Sequence, residues 1–161
     1  MKHRILLALA LAPLAATAAT AAPPRAFLAD AGKGDNSEIE LGRLAEQRGA
    51  SNAAREAGRM LQRDHGASKR VAAPLLRRLA VPPPVGVTPE ARAEMRRLQG
   101  LRGRAFDAEF ARFSVAEHQK DIAKFQVQAR TGDRVTAAFA RAQLPVLRHH
   151  LQMARDLLRA R

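Results

Sequence analysis

RAFDAEFARFSVAEHQKDIAKFQVQARTGDRVTAAFARAQLPVLRHHLQM, residues 104–153, carries two apolar stripes on either side of one turn. In its first half Phe106, Phe110, Phe113, Ile122 and Phe125 recur at the three-to-four-residue period of one helix face. In its second half Val135, Phe139, Ala142, Val146 and Met153 do the same, and Leu157 continues the stripe. Between them stands Thr131-Gly132-Asp133, a glycine to end one helix and an aspartate to cap the next. The stretch predicts an antiparallel helical hairpin, with helices from about 104 to 130 and from 134 to near the C-terminus.

The upstream half reads the same way. Ser37 and Glu40 have capping-box spacing, so a first main helix is expected from Ser37 through Ile39, Leu41 and Leu44 to Gly49, with a helical lead-in over 25–33. Ser51 caps a long helix over 52–80 whose stripe is Ala54, Ala57, Leu61, Ser68, Ala72, Leu75 and Leu79. Val81-Pro82-Pro83-Pro84 ends it, and Thr88-Pro89 opens a short helix to about Leu98. Pro74 and Pro145 each remove one intrahelical hydrogen bond and predict a kink. Nothing alternates with the period of a strand. The fold class is therefore all-α: a four-helix bundle with a short extra helix in the long middle connection.

Lys2 and Arg4, the apolar run Ile5–Ala16 and the small residues after it form a secretory leader, expected over 1–21, with a single bundle domain over 22–161. The expected location is the periplasm, with association to the outer membrane as a further expectation. The chain has no cysteine, which excludes a thiol nucleophile, a disulfide framework and covalent haem attachment. Net charge is +13, from 23 Arg and 5 Lys against 15 acids, and falls to +11 without the leader. Such a surface attracts anionic envelope lipid or polysaccharide. The charges are spread over every helix and not gathered in one patch, so a plain solvated face is the simpler account of them. With no Trp or Tyr and only six Phe, a base-stacking platform is not expected, and the chain shows no specific nucleic-acid motif.

The informative residues are polar ones on apolar stripes. His65 falls between Leu61 and Ser68, His118 between Val115 and Ile122, and His150 between Val146 and Met153. Asp64 is next to His65, Asp121 lies one turn after His118, and Glu38 folds back to the height of residue 62. All six are expected near one mid-height layer, with His118 and His150 offset by about 6 Å. Three readings of that layer stay open. The first is a buried His–Asp network that fixes helix register in a non-enzymatic bundle. The second is a transition-metal site, redox or detoxifying, with His65, His118, His150, Asp121, Asp64 and Glu38 as candidate ligands. The third is a haem pocket that would draw on Met60 or Met153. No catalytic triad is visible. Asp107, Glu40 and His149 read as a helix-start partner, a capping-box partner and a surface residue.

These residues also carry a resemblance. Glu38-Ile39-Glu40-Leu41-Gly42, then Leu61-x-x-Asp64-His65, then Gly103-x-x-Phe106-Asp107-x-x-Phe110, His118-Gln119-x-x-Ile122 and Leu144-Pro145-x-Leu147-x-x-His150 stand in one order. In that order the chain resembles exported bacterial proteins grouped as domain of unknown function 4142. Leu61 stands where that family usually has Met, and Phe110 where it usually has Tyr. The resemblance implies a ferritin-like four-helix bundle and no particular activity.

Overall fold

The computed structural model describes residues 20–160. The leader expected over 1–21 lies almost wholly outside the described residues. Five helices follow: α1 Pro24–Arg48, α2 Asn52–Arg78, α3 Pro89–Gln99, α4 Gly103–Thr131 and α5 Arg134–Arg159. No strand occurs among the described residues, and none of their helices is long and apolar enough to cross a membrane.

Four caps stand where the sequence places them. The Ser51, Thr88 and Asp133 side chains accept from Ala54 N–H, Ala91 N–H and Val135 N–H respectively, and Gly132 N–H closes α4 on the Gln128 carbonyl. α2 ends on Ala80, whose φ of 50° lets Val81 N–H reach the Leu76 carbonyl at 2.9 Å. α2 and α5 each run as one helix through Pro74 and Pro145, both of which face solvent.

The first helix departs from expectation. Ser37 does not open it; α1 is continuous from Pro24, and Ser37 is buried in its middle. The Ser37 hydroxyl donates to the Lys33 carbonyl at 3.0 Å and accepts from Thr88 N–H at 2.9 Å. Glu40 therefore caps nothing and pairs with Arg43 on the surface. Gly32, inside α1, is a packing device. A Cβ at Gly32 would stand 2.7 Å from Pro84 Cγ. On the other stripes, Leu76 of α2 is buried where Leu75 is only half-buried, and Ala142 of α5 is exposed.

α1 packs on α2 and α4 on α5, two hairpins joined mainly through α2 and α5. Asp30 pairs with Lys124 while Asp107 takes the Ala50 and Ser51 N–H groups, so α1 and α4 run in opposite directions. Asp64 meets His150 and Ala57 shares a core with Leu157, so α2 and α5 are also opposed. α4 is then parallel to α2, and the segment between them must travel the length of the bundle. It does so along α1: Arg25 holds the Leu79 and Ala80 carbonyls, Asn36 those of Pro84 and Gly86, and Arg48 those of Gln99 and Leu101. One long crossover is the ferritin-like variant of the four-helix bundle.

The core is divided. One apolar cluster holds Leu41, Ala57, Leu61, Leu98, Phe106 and Phe110; the other holds Phe27, Leu28, Leu76, Phe125, Phe139 and Leu147. Between them lies a buried polar layer of Asp35, Glu38, His65, Ser68, Ser114, His118 and His150.

Candidate metal centre

Helical periodicity aims three imidazoles at one point. His65, His118 and His150 are 5%, 1% and 0% exposed, and one ring nitrogen from each lies within 4.8 Å of the other two. The height offset expected between His118 and His150 is closed by side-chain direction. Each Cβ tilts toward its own helix N-terminus, and in antiparallel helices those tilts converge. The rings meet edge to face with centroids 5.2 Å apart.

Each ring is fixed by an acceptor. His65 Nδ1 donates to Asp35 Oδ1 at 2.8 Å, His118 Nδ1 to the Ser114 carbonyl at 2.8 Å, and His150 Nε2 to Asp64 Oδ2 at 3.0 Å. A carbonyl or a carboxylate can only accept, so each bond sets the tautomer. In the neutral ring the remaining nitrogen carries a lone pair. His118 Nε2 and His150 Nδ1, the two remaining nitrogens, stand 3.3 Å apart. His65 Nε2, the third, is buried with no hydrogen-bond partner.

The electrostatics keep two of the rings neutral. Burial, and then the charge of His65, hold His118 down to about 4 against the bond to Ser114. The same two causes lower His150, although Asp64 opposes them. At His65 burial also acts to lower the value, but the hydrogen bond to Asp35 and the carboxylates of Glu38, Asp35 and Asp121 raise it overall.

The carboxylates divide differently from the sequence reading. Asp64, adjacent to His65 in sequence, serves His150 instead, because consecutive helical residues point about 100° apart. Its other oxygen lies 3.3 Å from Arg63. Asp121 makes no hydrogen bond to His118, whose Nδ1 is taken by Ser114. Asp121 and Glu38 instead line a cleft of about 360 Å³ between α1, α3 and α4. There burial raises Glu38 to about 7, with Glu117 and Asp35 adding and His65 opposing. Burial followed by Glu38 raises Asp121 to about 6. Asp35 is the site residue that the sequence reading missed. Its signal was present: Leu28, Ala31, Asp35, Glu38 and Leu41 are spaced as one helix face, hidden by starting α1 at Ser37.

The peripheral residues have simple roles. Asp107 accepts from the N–H groups of the α1–α2 turn, His149 is exposed, and Met153 packs against the Leu61 cluster.

No curated protein is similar to the chain in sequence. Among solved structures the chain is similar to a DUF305 fragment from Deinococcus radiodurans, with a TM-score of 0.74 over 87% of this chain and 98% of that one. At 19% identity that likeness is one of fold. The profile of the domain of unknown function DUF4142 matches residues 9–157, nearly the whole sequence, and the chain belongs to that family.

Proposed function

We propose that this protein binds a transition-metal ion inside its bundle, between His65 Nε2, His118 Nε2 and His150 Nδ1. The observation that carries the reading is the pair of facing lone pairs at 3.3 Å. Two neutral imidazole nitrogens at that distance repel unless a cation or proton lies between them. Ligands of one tetrahedral ion at about 2.0–2.1 Å from it are themselves separated by about 3.3 Å. The donors also suit the task. Neutral imidazole favours zinc, copper, iron or nickel over magnesium or calcium. Each ring is backed on its far side by a carboxylate or carbonyl, the support that orients histidine ligands in metal sites. The imidazoles pack against one another, so a single ion fits between them more readily than a haem plane. The test is elemental analysis and calorimetric titration with Zn(II) and Cu(II) of the untagged protein, beside a His65→Ala, His118→Ala variant. Near-stoichiometric metal in the parent, lost in a folded variant, supports the reading. Equal metal in both refutes it.

A second reading concerns the surface. The groove of α2 and α5 is lined by exposed Val71 and half-buried Leu75 together with Arg78, Arg134 and Arg141. An apolar floor with a cationic rim suits an anionic lipid, in keeping with a place at the periplasmic face of the envelope. Flotation with anionic vesicles, weakened by salt and by Arg78→Glu with Arg134→Glu, supports it. Equal flotation with neutral vesicles counts against it.

A further inference from the structure

The three histidines are sealed from solvent, so an ion needs a way in. We propose that the cleft between α1, α3 and α4 is that way, and that Glu38 is the carboxylate that passes the ion from the cleft to the imidazoles. The inference rests on reading the histidines as a metal site.

Glu38 sits where two environments meet. It lies one helical turn from Asp35, which holds His65, so the two carboxylates share a face of α1. It also lines the solvent-open cleft, although it is only 5% exposed. Its Oε2 is buried with no hydrogen-bond partner, which leaves an acceptor free for a cation. Glu117 and Asp121 line the same cleft and add negative charge. Of the three lysines that line the cleft, Lys124 is engaged with Asp30 at 3.2 Å and Lys120 with Glu117 at 3.6 Å, and Lys33 is exposed to solvent. The other side of the layer offers no such path. There Asp64 has one oxygen on His150 and the other facing Arg63, so a cation would meet a guanidinium first. A hydrated divalent ion sheds water stepwise, and an oxygen ligand between solvent and nitrogen ligands lowers the barrier to that exchange.

The experiment is stopped-flow uptake of Co(II), read from its visible absorption, by the full chain stripped of metal with a chelator. Two variants act on the route in different ways. Glu38→Gln removes the charge. Gly34→Phe plugs the cleft where an added Cβ meets nothing within 4 Å. Circular dichroism checks that both are folded. Each is expected to slow uptake about tenfold or more and to slow release equally, leaving the dissociation constant within about threefold of the parent. Glu56→Gln, an exposed α2 acid, is expected to change neither rate. Unchanged uptake in both route variants overturns the inference while leaving the metal site standing. Faster release from Glu38→Gln makes Glu38 a resident ligand and also overturns the relay role. A parent that takes up no metal at equilibrium removes the site itself, and the route with it.

Discussion

His118 Nε2 faces His150 Nδ1 at 3.3 Å, and the bonds to Ser114 and Asp64 leave a lone pair on each. A cation placed there relieves a repulsion present in the metal-free protein. Metal is therefore expected to stabilise the fold, by about 2.7 kcal/mol at a free concentration one hundred times the dissociation constant. Thermal melts with Zn(II) and with EDTA check this. In His118→Ala the two melts should coincide; a metal-dependent shift that survives in that variant would place the ion elsewhere.

Asp35→Asn should weaken metal binding by roughly 10–100-fold without unfolding the protein. The amide keeps the shape but no longer anchors His65 Nδ1 through a charge-assisted bond. Competition titration against a chromophoric chelator gives the number. An affinity equal to the parent's would mean that the pair serves the fold alone.

The metal-free protein should have an unusual dependence of stability on pH. Glu38 is raised by burial from 4.5 to about 7, so its ionisation opposes the folded state. The stability it allows is fully present below its unfolded value and is lost as pH rises through 7. Glu38→Gln is then expected to gain roughly 1–3 kcal/mol at pH 8 and about nothing at pH 4. On the acid side His118, lowered to about 4 mainly by burial, works in the opposite sense. Its contribution is present above 6.5 and disappears as pH falls through 4. Urea titrations in EDTA across that range test both limbs; a Glu38→Gln gain of equal size at both ends would contradict the assignment.

Gly58→Ala should cost roughly 1–3 kcal/mol. A Cβ there would lie 2.4 Å from the Gly42 carbonyl oxygen, and one at Gly42 would lie 2.6 Å from the Gly58 carbonyl oxygen. Backbone meets backbone at this crossing of α1 and α2, so no side chain can swing aside. A chemical-denaturation midpoint equal to the parent's would show that the two helices can separate freely.

What was legible in the sequence was local. Thr88-Pro89, Ser51 and Gly132-Asp133 fix helix ends through bonds within a few residues, and α2 to α5 begin and end close to where those signals put them. Stripe periodicity likewise set His65, His118 and His150 inward. Ser37 was misread because its true partner, Thr88, is a long-range contact that imitates a cap. With α1 cut short, Asp35 fell outside any stripe. The exchange by which Asp64 serves His150 and Asp35 serves His65 depends on how two hairpins dock, and no spacing along one helix encodes that.

The polar layer divides the apolar interior into two clusters, and this has a mechanical consequence. Without an ion, each end of the bundle can open with little penalty from the other, so amide protons around Phe125 and Phe139 should exchange independently of those around Phe106 and Phe110. His65 belongs to the α1–α2 hairpin, and His118 and His150 to the α4–α5 hairpin. An ion held by all three is a rivet through the waist of the molecule: it joins both hairpins and makes the two ends unfold as one cooperative body.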